Sequence, residues 1–216
     1  MRKNLIAALM ITAVYLLTAC NKEEEIYYSA LGIIRISEDS IVIETDNGNR
    51  LLVDDRNRIG IPLVDNDRVI AYFTLVDRTA PAGIDLVIDI YDISKVLFKP
   101  VIELSSAIAD SIGDDPLTVG SLWLDKDFIN LSFIYYGGEK MHYINLIRHP
   151  GEIRTDTIDL EIRHNDNDDA GIYSYSGFVS FDLSSLQNEV YDSVVLRIKA
   201  REFNNQTFRE NFIYTW

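Results

Sequence analysis

Cysteine is almost absent from this chain of 216 residues, because Cys20 is the only one. An internal disulfide is therefore excluded, and stability has to come from burial of apolar surface. Lysine and arginine are scarce beside the acids, 20 against 34, which gives a formal charge of −14. A chain this acidic argues against binding to nucleic acid or to anionic lipid headgroups through a basic patch.

The common catalytic motifs are missing as well. The sequence contains no GxSxG, HExxH, GxxxxGK or GxGxxG pattern. Its three histidines, His142, His149 and His164, lack the compact spacing of a zinc site. The sequence therefore favours a protein that is not an enzyme and has no cofactor apart from a covalent lipid. A hydrolase whose site is assembled from scattered residues is the less favoured alternative.

The first residues combine a charged start, an apolar middle and small residues before the cysteine. Arg2-Lys3 precedes an uncharged run that is shorter than the roughly 18 to 20 apolar residues of a transmembrane helix. This anatomy predicts a secretory signal peptide over residues 1–19. The stretch Leu17-Thr18-Ala19-Cys20 is similar to a bacterial lipobox, which implies cleavage before Cys20 and a lipid on its thiol.

An acidic run follows the predicted lipidation site immediately. Asn21-Lys22-Glu23-Glu24-Glu25 is a solvated tether in its simplest interpretation. It also resembles the surface-export signal of lipoproteins from Bacteroidota. We therefore predict a lipidated cysteine and tether over residues 20–26, attached to the membrane by the lipid. The resemblance favours an outer-membrane lipoprotein on the cell surface over one on the periplasmic face.

Short runs of β-branched and aromatic residues, separated by turn signals, indicate an all-β chain. About five runs between residues 27 and 99 predict a small barrel of the OB type. The clearest turn is Asp46-Asn47-Gly48-Asn49, because Asn-Gly tolerates the positive φ of both central residues in a type I′ hairpin. The predicted strand 68–77 is apolar on both faces, so we expect its second face to pack on another domain.

A second domain is predicted over residues 100–216, with Pro100 at the boundary. It contains about seven further strand runs, a pattern typical of an antiparallel β-sandwich. Gly137-Gly138 is expected to join two of these strands as a hairpin. That hairpin would place the side chains of Asn130 and Asn145 opposite each other.

Four short stretches occur in a characteristic order and spacing. They are Asp46-Asn47-Gly48-Asn49, Asp110-Ser111-Ile112-Gly113-Asp114-Asp115-Pro116, Arg163-His164-Asn165 and Val179-Ser180-Phe181-Asp182-Leu183. With them the chain resembles the NigD-like lipoproteins of Bacteroidota. The resemblance implies a lipobox, an N-terminal OB domain and a C-terminal β-sandwich. It implies no catalytic residue, and no biochemical role is established for the family.

The densest polar cluster includes Asp166, Asp168 and Asp169. Alternating oxygen ligands suit Ca²⁺, and Asp166, Asp168 and Gly171 match the start of an EF-hand loop. Gly177 stands where that loop needs a bidentate acid. An exposed acidic turn between two strands is therefore the favoured interpretation, with a metal site as the alternative.

Tyrosines beside the predicted turns are candidate binding residues, namely Tyr135, Tyr136, Tyr173 and Tyr175. Tyrosine favours interfaces with proteins and sugars, although most such rings pack in cores or on strand surfaces. The sequence thus predicts a lipid-anchored envelope protein that binds another envelope protein or a glycan. A structural spacer within a larger surface complex is the alternative.

Overall fold

A computed structural model describes residues 26–151 and 156–216 of the chain. Its first part is a closed barrel with the strand order β1-β2-β3-β5-β4, in which β1 also pairs with β4. The strands are β1 (Tyr28–Ile36), β2 (Ile41–Thr45), β3 (Arg50–Val53), β4 (Arg68–Leu75) and β5 (Leu86–Lys95). A short 3₁₀ turn, Arg56–Arg58, lies between β3 and β4. The prediction of a five-stranded barrel of OB type is confirmed.

Alternation along each strand fills the barrel. Ile34, Ile43, Val69 and Ile88 are fully buried and come from four different strands. Gly32 allows β1 and β2 to approach closely, because a Cβ there would lie 2.7 Å from the carbonyl oxygen of Glu44.

The predicted hairpin between β2 and β3 is present, but its turn type differs from the expectation. Thr45 N donates to Asn49 O at 2.9 Å and closes the loop. Gly48 is the only loop residue with positive φ, at 87°. A type I′ turn needs two such residues, so that detail of the prediction is wrong.

The second part is a sandwich of two sheets, as predicted. Its strands are β6 (Leu97–Pro100), β7 (Ile102–Glu103), β8 (Thr118–Asp125), β9 (Phe128–Gly137), β10 (Tyr143–Arg148), β11 (Thr157–Asn165), β12 (Tyr173–Asp182), β13 (Ser193–Arg201) and β14 (Thr207–Thr215). One sheet has the order β14-β13-β11-β10-β7 and the other β6-β12-β9-β8. Short helical segments are α1 (Ala109–Ile112) and the 3₁₀ turns Ser184–Leu186 and Phe203–Asn205.

Two details of the sandwich differ from the expected pattern. Three pairs of strands run parallel, β6 with β12, β7 with β10 and β11 with β13, so the sheets are mixed. The first sandwich strand begins at Leu97, which puts the change from barrel to sandwich a few residues before Pro100.

The expected hairpin at Gly137-Gly138 is wrong, because β9 and β10 belong to different sheets. β9 pairs with β8 and β12, whereas β10 pairs with β7 and β11. Both strands send their apolar side chains into the same core, where Leu131 and Leu146 are fully buried. The glycine turn therefore crosses between the sheets, and Asn130 and Asn145 do not pair.

The barrel and the sandwich meet at a buried ion pair. Arg68, at the start of β4, is 2% exposed and forms a bidentate pair with Asp46 of the β2–β3 hairpin. Its Nε donates to Ser180 Oγ of β12 and its Nη2 to Asn130 Oδ1 of β9, each at 3.2 Å. The guanidinium carbon lies 4.2 Å from the ring centre of Phe128. The barrel therefore docks on the outer face of the four-stranded sheet.

This contact is more polar than the sequence suggests. The second apolar face of β4 is covered only in part, since Ile70 is half-buried and Tyr72 is 41% exposed. Docking thus depends on one buried arginine at the start of the strand and not on an apolar strip along it.

Candidate functional site

A charged face covers the outside of the five-stranded sheet. Ile158, Leu160 and Ile162 of β11 point into the core, so the residues between them point outward. β13 lies parallel to β11 and places Arg197 beside Asp159 and Lys199 beside Glu161. The cations of this surface, here named the basic face, are Arg163, Arg197, Lys199, Arg201 and Arg209.

Glu161 lies at the centre of the basic face, and its side chain is 9% exposed. Its carboxylate contacts Arg163 Nη2 at 2.5 Å, His149 Nε2 at 3.1 Å and Lys199 Nζ. Burial works to raise the pKa of this carboxyl, but the hydrogen bonds from Lys199 and Arg163 prevail and hold the pKa below its ordinary value. Glu161 therefore stays ionised and fixes the positions of its cationic neighbours.

The other acids near this face are paired in the same way. Asp159 accepts bidentate hydrogen bonds from Arg197 at 2.6 and 2.5 Å. Asp114 lies 3.1 Å from Arg163 and 3.8 Å from Arg201. Arg209 forms no ion pair with any residue that the structure describes. Five cations thus face three carboxylates, a positive excess on a chain whose formal charge is −14.

Two adjoining depressions lie on the basic face, of about 300 and 730 Å³. Both are lined by Glu161, Lys199 and Arg209. Asn205 and Gln206, in the loop before β14, form part of the rim of the smaller one. The described lining residues include one hydroxyl side chain, that of Thr207, and no serine, cysteine or tyrosine. The arrangement can bind anionic groups through charge-assisted hydrogen bonds.

Sequence reasoning missed this face, although a signal existed. Arg197, Lys199 and Arg201 alternate along one strand, and Asp159, Glu161 and Arg163 alternate along another. The two sets become one surface only because β11 and β13 are neighbours, which overall composition does not indicate.

A buried histidine pair is the second polar cluster of the sandwich. His142 Nδ1 lies 2.9 Å from His164 Nε2, and His142 Nε2 lies 3.2 Å from Asp169 Oδ2. The ring of Tyr135 packs 4.7 Å from that of His142. These contacts join the β9–β10 turn to the loop between β11 and β12.

The pKa values of His164 and Asp169, the two ends of this cluster, are both lowered. Burial, assisted by the neighbouring charge of His142, lowers the pKa of His164. The backbone N–H of Gly138 donates to Asp169 at 2.5 Å and, with His142, lowers the pKa of that carboxyl to about 2. Asp169 is therefore ionised and His164 neutral at neutral pH.

Two of the three acids predicted as a metal site, Asp166 and Asp169, point in different directions. Asp166 Oδ1 accepts from the N–H of Asp168 at 2.9 Å, while Asp169 faces Gly138 and His142. No group of three or more histidine, cysteine or acidic side chains suited to a metal ion occurs in residues 26–151 and 156–216. Calcium binding remains a prediction for titration.

The four candidate tyrosines do not form one surface. The rings of Tyr135 and Tyr175 stack 5.5 Å apart at the end of the sandwich. Tyr173 is 62% exposed on the same strand as Tyr175. Tyr136 packs instead against Phe203, with ring centres 5.3 Å apart. Their role in binding stays a prediction.

Cys20 and the acidic tether lie outside the described residues, so the predicted lipidation is not visible here. Within the described part of the chain, no helix has the length and apolar character needed to cross a membrane.

Residues 100–214 match the protein family described as the NigD-like C-terminal beta sandwich domain. No curated protein matches the chain in sequence.

Solved structures of Bacteroidales proteins share the fold over most of the chain. A protein of unknown function from Bacteroides vulgatus has a TM-score of 0.74 at 19% identity, covering 88% of this chain and 91% of that one. A candidate toxin-related protein from Parabacteroides distasonis has a TM-score of 0.74 at 24% identity, covering 88% and 93%. A NigD-like immunity protein from Bacteroides caccae has a TM-score of 0.66 at 19% identity, covering 89% and 97%.

Proposed function

Because this chain belongs to the family defined by the NigD-like C-terminal β-sandwich domain, we propose that it is a lipid-anchored, non-enzymatic binding protein of the bacterial envelope. Its partner is an acidic envelope protein that docks on the basic face. Its location is the outer membrane, with the folded part on the cell surface. The lipobox-like stretch that ends at Cys20 and the acidic run 23–25 support that location.

The observation that carries this proposal is the excess of cations on the basic face. Arginine is enriched in protein interfaces, and complementary charge speeds association and selects the partner. The internal ion pairs of Glu161 and Asp159 hold the cations in place before the partner arrives. Such preorganisation lowers the entropic cost of binding.

Similar proteins support a role in binding. The Bacteroides caccae structure is described as an immunity protein, and a Bacteroides fragilis structure with TM-score 0.59 as a candidate lipoprotein. Both descriptions agree with an envelope protein that acts by binding.

Comparative capture from detergent-solubilised envelopes tests the proposal. The baits are the wild-type protein, the variant Lys199→Gln/Arg209→Gln and a control variant, Arg58→Gln/Arg78→Gln. The control removes the same charge from exposed arginines of the barrel. We expect an acidic protein bound by the wild type and the control and lost from the basic-face variant.

The salt dependence gives a second criterion. Binding through exposed cations should weaken as ionic strength rises. Equal recovery of the same proteins by all three baits would exclude the basic face as the binding surface and favour the spacer function.

A further inference from the structure

Exposed apolar side chains gather at one end of the barrel. Tyr28 and Leu75 line one depression with Ile26 and another with Leu86. The ring of Tyr27 lies 5.1 Å from that of Tyr91, which is 74% exposed. This surface, here named the barrel patch, comprises Ile26, Tyr27, Tyr28, Leu75, Leu86 and Tyr91. Monomeric proteins rarely leave such a group uncovered without a reason.

The barrel patch and Arg68 lie at the two ends of β4, and the β2–β3 hairpin reaches both, since its Thr45 and Asn47 line the same depression as Tyr28 and Leu86. β4 begins at Arg68, which docks on the sandwich, and ends at Leu75 in the barrel patch. Seven residues of strand separate the two by about 23 Å. The basic face lies on the other sheet of the sandwich, on the side away from the barrel. The barrel patch and the basic face thus belong to different layers, with the four-stranded sheet between the barrel and the sheet that carries the basic face.

The chain itself indicates what covers the barrel patch. Cys20 precedes Ile26 by six residues, and six residues span at most about 22 Å when fully extended. A lipid on Cys20 would therefore hold the barrel patch within that distance of the bilayer. Tyrosine suits this position, because its ring enters the interface of a membrane while its hydroxyl stays in water.

We propose that the barrel patch rests on the bilayer in which Cys20 is anchored, so that the basic face points away from the membrane. The proposal depends on the lipidation of Cys20 that belongs to the proposed function. A partner would then approach from the outside and meet the basic face first. The contact with the headgroup region would also restrict the orientation that an anchor at Cys20 alone would leave free.

Fluorescence quenching in proteoliposomes tests this orientation. A lipidated Cys20 has no free thiol, so Tyr91→Cys and Tyr173→Cys each provide one site for an environment-sensitive fluorophore. Both parent side chains are exposed tyrosines, at 74% and 62%, one on the barrel and one on the sandwich. The proteins are reconstituted into phosphatidylcholine vesicles that contain nitroxide-labelled lipids. Mass spectrometry of the N-terminal peptide establishes in parallel whether Cys20 carries the lipid.

With Cys20 lipidated, we expect the probe at position 91 to lose most of its fluorescence to the nitroxide lipids and the probe at position 173 to lose little. Equal quenching at both positions would overturn the orientation and leave the anchor intact. A probe at position 91 that is shielded from water and yet not quenched would assign the barrel patch to a protein contact. An unmodified Cys20 would overturn the orientation and the proposed anchor together.

Discussion

His164 is a neutral histidine at the end of the sandwich core, 3% exposed and 2.9 Å from His142. Two adjacent imidazolium ions would repel each other in a buried site, so one ring has to remain unprotonated. Asp169 fixes His142 from the other side through its 3.2 Å contact. The cluster therefore joins the β9–β10 turn to the loop between β11 and β12 while His164 is neutral, and protonation of His164 at acidic pH weakens this link.

This arrangement predicts a pH dependence of stability. The pKa of His164 is lower in the folded state than its ordinary value of 6.5, so the unfolded chain binds the proton more readily. The contribution of His164 is complete above about pH 6.5 and declines as the pH falls toward the folded pKa. Each unit by which the two pKa values differ corresponds to about 1.4 kcal/mol.

Thermal unfolding between about pH 7.5 and 5.5 measures the effect. We expect Tm to fall with pH in the wild type and in His149→Gln, and to fall less in His164→Gln. His149 is a matched control, because its side chain is 31% exposed and lies away from the pair. The same slope in all three proteins would show that His164 does not couple folding to pH.

At the scale of elements, the barrel docks through four segments that are distant from one another in the sequence. Arg68 of β4 reaches Asp46 of the β2–β3 hairpin, Asn130 of β9 and Ser180 of β12. The buried guanidinium of Arg68 fixes the position of the barrel on the sandwich while its nitrogens are all hydrogen-bonded. Removal of Arg68 or of Asp46 would leave the other as an unpaired buried charge.

Arg68→Met should therefore destabilise the protein by about 3–5 kcal/mol, because Asp46 stays buried without its cation. The double variant Arg68→Met/Asp46→Leu should recover part of that loss, since it removes both charges. Urea unfolding of the two single variants and the double variant gives the coupling energy. Simple additivity of the two single effects would contradict a direct ionic link.

Local patterns explain what the sequence could and could not predict about these elements. Alternation predicted most of the strands, since core positions such as Leu131, Leu160 and Leu196 lie in segments of period two. In the described part of the chain the sandwich has nine strands, where about seven were expected. Gly137-Gly138 was open to two interpretations, because a glycine turn can close a hairpin or cross between sheets. The turn crosses between the sheets because β9 and β10 lie in different sheets and pack into one shared core.

The candidate surfaces depend even more on long-range pairing. The period-two basic residues of β13 are visible in the sequence, yet their partners on β11 are about 38 residues away, as Asp159 and Arg197 show. Arg68 also looks like an ordinary strand residue until Asp46 and Ser180 are placed beside it. Composition gives a uniformly acidic chain, whereas the fold separates the charges.

At the scale of the whole molecule, three layers follow one another: the barrel, the four-stranded sheet and the five-stranded sheet. The barrel patch belongs to the first of these layers and the basic face to the last. With a lipid at Cys20, this order would place apolar rings near the membrane and cations toward the partner. The acidic remainder of the surface would repel other polyanions and so make binding at the basic face more selective for the partner.

Site-specific photo-cross-linking in intact cells tests the central claim, binding of a partner at the basic face, most directly. A photoreactive amino acid replaces Asn211, which lines the larger depression, and in a control it replaces Val190, which is 76% exposed elsewhere. We predict one cross-linked acidic envelope protein from position 211, absent at position 190 and lost when Lys199→Gln/Arg209→Gln is added. Identical products from both positions, or no product from position 211, would contradict the account.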